Sequence, residues 1–200
     1  CKATIIGEAN HAGSTPMGRN QRTDALAAAG EVILGVEDAA ERQTATDPDV
    51  VGTVGSLTVS PNATNVVPGR VELGIDIRSV NRSSMNHLVD ATREVLNAIE
   101  ANRGVKTTFI QEFDIRPTPM ADRCQTALRS AGMQTDIETA TLHSGAAHDS
   151  MYVARVTDGG MLFAPSRDGV SHNPAEWTDW VDCADATRVL AAALADLAGA

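Results

Sequence analysis

Aromatic side chains are scarce in this chain: two Trp, one Tyr and three Phe make up 3% of 200 residues. Any core must therefore be assembled from Ala, Val, Leu and Ile rather than from rings. Cysteine is equally sparse, with Cys1, Cys124 and Cys183 far apart in sequence. An odd, dispersed set excludes a disulfide scaffold and points to a reducing compartment, taken as the cytoplasm. Cations are outnumbered, 16 against 26 acidic residues, for a formal net charge of −10. That balance argues against a nucleic-acid or anionic-membrane partner. No apolar run approaches the roughly 18 residues needed to span a bilayer, and there is no internal repeat or low-complexity tract. What is present is ordinary globular material, 42% hydrophobic before its 16 Gly are counted, enough to bury a core in one or two domains.

The chain opens on Cys1 and passes at once into Lys2-Ala-Thr-Ile-Ile-Gly-Glu-Ala9. The expectation is a piece of a longer polypeptide. Two functional readings compete with it: a Cys1 nucleophile activated by its own α-amine, and a lipid-modified cysteine of an exported protein.

Periodicity divides the first 117 residues into alternating elements. Residues 2–9 read as a strand. Over 23–42, Leu26, Ala29, Ile33, Val36 and Ala40 recur at helical steps. Residues 50–59 are β-branched and bounded by turn residues, a buried strand in composition. Residues 70–78 alternate, with Val71, Leu73, Ile75 and Ile77 on one face. A second helix over 83–102 carries Met85, Leu88, Thr92, Val95 and Ile99 and closes at Gly104. Residues 105–115 form the last strand. The order βαββαβ fits an α+β, ferredoxin-like unit with a four-stranded antiparallel sheet. Between its second and third strands, residues 60–69 form a loop longer than a hairpin requires. Arg116-Pro-Thr-Pro119 then breaks the pattern, and the domain boundary is placed there, giving 1–117 and 118–200. The second part reads as helix 120–132, strand 136–141, helix 149–156, strand 159–164, a loop, and a final helix 179–198 capped by Thr178. Two short strands cannot close a covered sheet, so partner strands are expected from upstream sequence.

Zinc-protease, thiol-pair, phosphate-loop and nucleophile-elbow motifs are all missing. Three of the five histidines nonetheless lie in Gly-, Ser- and Pro-rich segments: His11 in Asn10-His-Ala-Gly-Ser-Thr-Pro16, His148 in Ser144-Gly-Ala-Ala-His-Asp149, and His172 in Gly169-Val-Ser-His-Asn-Pro174. Loops held by a scaffold are where binding and catalytic residues concentrate. His172 follows a candidate strand, where α/β sheets place their ligands, and a neutral imidazole suits zinc. It is one ligand where three or four are needed. Asp149 and Glu176 are nearby candidates, though Asp149 equally suits orienting His148 or capping a helix, and Glu176 holding its loop. Arg78 offers a bidentate grip on a carboxylate, or is a solvated charge on an open strand face. His87 and His143 are read as structural.

The segments Gly7-Glu-Ala-Asn-His-Ala-Gly-Ser-Thr-Pro-Met17, Pro61-Asn-Ala-Thr-Asn-Val-Val-Pro-Gly69 with Asp76-Ile-Arg78, Ser144-Gly-Ala-Ala-His-Asp-Ser-Met151 and Phe163-Ala-Pro-Ser-Arg-Asp-Gly-Val-Ser-His-Asn-Pro-Ala-Glu176 resemble the hydantoinase/carbamoylase family of metal-dependent amidases. That family contains N-carbamoyl-L-amino-acid hydrolases, β-ureidopropionases and allantoate amidohydrolases, within the wider aminoacylase-like metallopeptidases. The resemblance spans nearly the whole chain in order. It implies that 1–117 is a lid and dimerisation domain and 118–200 the C-terminal part of an α/β metallopeptidase-like catalytic domain. The family's His-x-Asp segment, bridging Asp and Glu-Glu pair have no counterpart here, so the chain alone is expected to be inactive.

Position by position, the resemblance makes His172 a metal ligand and His11 the catalytic donor to the scissile carbonyl, reaching across a homodimer. It makes Asn65 and Arg78 the pair that holds the substrate carboxylate, and His148 a further substrate contact. The implied cofactors are two divalent ions, Zn or Mn, and the implied reaction is hydrolysis of the C–N bond of an N-carbamoyl-L-amino acid or allantoate by metal-activated water. Ala147 departs from the pattern by standing where Gly is expected. Two alternatives stay open: an aminoacylase or dipeptidase of the same superfamily, and a non-catalytic dimerisation module that binds carboxylates.

Overall fold

A computed structural model describes residues 1–19 and 21–199, which divide into two compact units, Cys1–Pro117 and Thr118–Ala200. In the first unit β1 (Lys2–Ile6), β3 (Val51–Ser60), β5 (Arg70–Arg78) and β6 (Lys106–Ile110) form one sheet in the order β3-β5-β1-β6, every neighbour antiparallel. With α1 (Ala25–Thr44) and α2 (Arg82–Arg103) as its crossovers, this is the ferredoxin-like arrangement the element order implies. A second, two-residue ladder joins β2 (Asn10–His11) to β4 (Val66–Val67).

The core forms where one sheet face meets the helices. Ala3 and Ile5 of β1 and Val71, Leu73 and Ile75 of β5 pack with Val32, Val36, Leu96 and Ile99. The α1 stripe agrees with the expected one at Ala29, Val36 and Ala40 and departs from it at Leu26 and at half-buried Ile33. Ala25, Ala28, Ala29, Val32, Val36, Ala39 and Ala40 are buried, whereas Leu26 is 39% exposed. Alanine faces inward because the helices approach closely: a Cβ added at Gly35 would stand 2.6 Å from Val95 of α2. Asp24 caps α1, its carboxylate accepting from the Leu26 and Ala27 N–H groups. Helix α2 ends at Gly104 in the left-handed region.

The last strand is shorter than expected, ending at Ile110. Among the described residues its only ladder is to β1, which reaches from Lys2↔Ile110 to Ile6↔Lys106. Phe113 lies beyond that ladder and is 77% exposed.

The second unit holds α3 (Asp122–Thr135), α4 (Ser150–Val153) and α5 (Trp180–Ala198), with a 3-10 turn at Arg167–Gly169. Its core is the α3–α5 contact, where Ala127, Ala131, Val189 and Ala193 are buried. Three expectations need correction. Segments 136–141 and 159–164 are not strands, because neither has a ladder partner among the described residues. The helix expected over 149–156 is one turn long, Ser150–Val153. The N-cap of α5 is Asp179 rather than Thr178, and it makes no capping bond because its carboxylate accepts from Trp177 Nε1 and from Arg167. Those two bonds hold the Asp179 carboxyl below the usual carboxylate range, the Trp177 bond contributing most. Among the described residues no helix is long and apolar enough to cross a membrane, and all three cysteines are free.

Candidate functional site

In the first unit the chemistry gathers at the end of β5 that starts with Arg70. The long loop over 60–69 is stitched down: Gly69 N–H donates to Ser60 O (3.1 Å), Gly7 N–H to Gly69 O (2.8 Å) and Ala25 N–H to Pro68 O (3.0 Å). Within it, Val66 pairs with His11 and Val67 with Asn10, and Ala12 N–H donates to Asn65 O at 2.9 Å. His11 and Asn65 are thereby brought together. His11 stands on a strand rather than in a free loop, yet it remains exposed.

The His11 ring is oriented by its own chain. Its Nδ1 accepts from Gly13 N–H at 3.0 Å and Ser14 N–H at 3.2 Å, while Thr15 donates Oγ1–H to His11 O at 2.8 Å. An imidazole whose Nδ1 lone pair is engaged by N–H donors carries, in its neutral form, its proton on Nε2. His11 is thus a built hydrogen-bond donor. Beside it lies a polar pocket of about 80 Å³ with Glu8, Asn10, Arg22 and Val67 among its walls.

Arg78 is elsewhere. It ends β5 eight residues after Arg70, about 26 Å along a strand rising ~3.3 Å per residue, so one protomer does not bring the expected pair of Asn65 and Arg78 together. Its guanidinium grips the Asp76 carboxylate, Nε at 2.8 and 3.0 Å from the two oxygens and Nη2 at 2.6 Å from Oδ2. That bond raises its already high pKa against the opposing effect of partial burial. The turn that follows is anchored by buried Asp47, which accepts from Ser79 Oγ at 2.7 Å and from Asp49 N–H at 3.1 Å.

In the second unit His148 is half-buried, its Nε2 3.0 Å from Ser144 Oγ and its ring edge-on to Phe163 with centroids 5.5 Å apart. Asp149 precedes α4 without a side-chain cap bond. His172 is exposed and holds a left-handed backbone, φ 56°. That conformation is uncommon for residues other than Gly, and His is among the side chains that adopt it most readily. Glu176 supports it by accepting the His172 N–H at 2.9 Å, and Arg167 N–H to Trp177 O (2.8 Å) closes the loop around it. Glu176 is therefore engaged with backbone, the loop-holding role. Among the described residues no group of three or more His, Cys, Asp or Glu could hold a metal ion. His172 can supply one donor, and this set of residues does not by itself fit a dinuclear centre.

Sequence reasoning missed Arg22, Asp24, Asp47 and Ser144. An Asp directly ahead of an apolar helical run is a cap signal that would have found Asp24. Arg22 and Asp47 reach side-chain or carbonyl partners seven to 32 residues away, which no local pattern marks, whereas Ser144 lies four residues before its partner His148 in the same segment.

Comparison with known proteins bears on both units. The chain is 37% identical over 193 residues to the N-carbamoyl-L-amino-acid amidohydrolase of Paenarthrobacter aurescens, covering 94% of this chain and 45% of that protein. It is 34% identical over 175 residues to the allantoate amidohydrolase of Bacillus subtilis, covering 88% and 41% respectively. A crystal structure of an amidase of the hydantoinase/carbamoylase family from Burkholderia vietnamiensis superposes with a TM-score of 0.91 at 33% identity, over 96% of this chain and 46% of that one. The chain thus spans a little under half the length of these relatives. Residues 1–104 match the family model described as a peptidase dimerisation domain, so the chain belongs to that family, and nearly its whole length is similar to hydantoinase/carbamoylase amidases.

Proposed function

We propose that these residues serve in a metal-dependent amidohydrolase of the relatives' length, cleaving the C–N bond of an N-carbamoyl-L-amino acid or of allantoate. The observation that carries this reading is the state of His11. With Nδ1 occupied by two backbone donors, Nε2–H is left to donate, suited to a carbonyl oxygen as negative charge gathers on it. Arg78 supplies the second part. It already holds a carboxylate through two nitrogens, the geometry an amino-acid carboxylate takes on displacing Asp76. Because His11 and Asn65 lie at the other end of β5 from Arg78, the reading needs a homodimer in which one protomer offers His11 and Asn65 and its partner offers Arg78.

His148 is assigned to substrate contact, its ring steadied by Ser144 and Phe163. His172 is assigned one ligand position for a divalent ion, Zn or Mn, with the other donors lying outside the described residues. The ions would supply Lewis-acid and water-activating chemistry; this chain's own residues bind and orient. Residues 1–117 are assigned the lid and dimerisation role and 118–200 a share of the catalytic domain. The cytoplasm is the assigned compartment, in keeping with three free cysteines.

The test is His11→Ala in a protein of the relatives' length. Loss of such a donor lowers kcat by about 10²–10³ with KM little changed. An unchanged kcat overturns the reading. Comparing carbamoyl with acyl amino acids on the same preparation distinguishes a carbamoylase from an aminoacylase or dipeptidase.

A further inference from the structure

Arg22 lies eleven residues beyond His11, and nothing assigned above uses its charge. We infer that Arg22 is the positioning residue of His11: its guanidinium clamps segment 11–15 in the conformation that lets the Gly13 and Ser14 N–H groups reach the imidazole. The catalytic consequence rests on the reading of His11 as a donor; the clamp itself does not.

The geometry of the clamp is specific. One nitrogen, Nη2, donates to Ala12 O at 2.9 Å and to Thr15 O at 2.7 Å. These carbonyls flank Gly13 and Ser14, whose N–H groups are the two donors to His11 Nδ1. Holding both flanks turns the intervening amides inward. The segment is solvent-exposed, and local turn bonds alone leave an exposed turn open to many conformations. A charge-assisted, two-point grip selects one.

Arg22 is in turn fixed to rigid structure. Its own N–H donates to Gly18 O at 3.0 Å, the next residue's carbonyl accepts from Glu8 N–H at 2.8 Å beyond β1, and Asp24 caps α1. The end of β1 and the first turn of α1 therefore set where the guanidinium stands. Among the described residues its Nε is buried with no hydrogen-bond partner, a costly state. A guanidinium placed for its own stability would not leave a donor unused; one placed to meet two particular carbonyls can.

Nitrogen-15 NMR of the chain labelled at histidine, with amide hydrogen exchange, reads the clamp directly. In the unmodified protein His11 Nδ1 reads as an unprotonated acceptor and Nε2 as the protonated nitrogen, and the Gly13 and Ser14 amides are protected despite their exposure. Arg22→Lys and Arg22→Met speed exchange of those two amides by about ten-fold or more and move the His11 nitrogens towards averaged values, leaving the amides of β1, β5 and α2 where they were. Thr15→Val, which removes only the hydroxyl bond to His11 O, gives a smaller change in the same direction. Unaltered exchange in both Arg22 variants overturns the inference. The unmodified chain gives a check that needs no folded variant: slow exchange of the Arg22 Nη hydrogens and their proximity to Ala12 and Thr15, whose absence overturns it equally.

In a protein of the relatives' length, Arg22→Lys lowers kcat about ten-fold at constant KM, and has no further effect once His11 is Ala. An Arg22 effect undiminished in the His11→Ala background shows action by another route and defeats the inference. Clamp loss by NMR together with turnover indifferent to His11 instead defeats the proposed function and leaves the clamp standing.

Discussion

The two units bury very different amounts of apolar side chain, although each contains two helices of fourteen residues or more. In the first, Ile5, Val32, Val36, Val71, Leu73 and Leu96 meet between the sheet and its two crossovers. In the second, the buried cluster consists of three alanines and Val189, while Val156 and Trp180 are 86% and 80% exposed. The regular structure differs in the same sense. A helix satisfies its own backbone and forms on either side of the boundary. A strand must find a neighbour for every N–H and C=O along one edge. Six strands find neighbours in the first unit, four in one sheet and two in a short ladder; in the second, segments 136–141 and 159–164 have no ladder among the described residues.

Substitutions in the two cores give the sharpest contrast. Leu73, fully enclosed on the central strand β5, is expected to cost about 2–5 kcal/mol when changed to Ala, measured by denaturant unfolding with a probe in the first unit. Val189→Ala removes fewer carbons at about 0.8 kcal/mol per CH₂, and should move only a second-unit probe. Equal losses, or both probes shifting together, would show that the two cores are energetically one and break the comparison.

Helix starts give the next largest effect. Asp24 makes two capping bonds to α1, so Asp24→Ala should cost about 1 kcal/mol in thermal or denaturant unfolding of the first unit. Asp179 precedes α5 without capping it, and Asp179→Ala should leave the stability of α5 nearly unchanged while freeing the Trp177 indole N–H, read as a change in tryptophan fluorescence. A larger loss from Asp179 than from Asp24 would reverse the assignment of which helix start is held by its side chain.

The same division governs what could be read from sequence. Strand β5 was visible because its alternation is complete over nine residues and one face is buried. Helices α1 and α2 were visible by period, and the α1 stripe holds at Ala29, Val36 and Ala40 but was read one residue off at its start, where Ala25 rather than Leu26 is buried. Hydrophobicity points to the largest side chain, and packing at short range selects the smallest. β6 stops at Ile110 because β1 offers no further partner, a fact that belongs to another strand. The β2–β4 ladder is two residues long and has no period to detect. At the candidate site His11 and His172 stood out by their company of Gly, Ser and Pro. That Arg22 grips the His11 segment depends on contacts seven and ten residues away that composition and spacing do not mark. The Nδ1 contacts of His11 are local, to Gly13 and Ser14, and the separation of Arg78 from Asn65 follows from the length of β5.

The smallest expected effect concerns acid. Glu31 of α1 accepts from Arg103 at the end of α2 and from Arg19, and its carboxyl lies below the usual range chiefly through the Arg103 hydrogen bond, with burial opposing it. A carboxyl whose native pKa is depressed contributes stability in full above its unfolded value and loses it as the pH falls through the lower native one. Acidification across that window should therefore weaken the first unit, with both partners partly exposed and the change correspondingly small. Glu31→Gln should flatten this part of the unfolding-versus-pH curve for a first-unit probe. The Asp179 carboxyl is depressed by Trp177 and Arg167 in the same sense, so Asp179→Asn should flatten only the curve of a second-unit probe. A pH response that either substitution removes from both probes would mean that the units titrate as one body, and the contrast between their cores would then lie in packing alone.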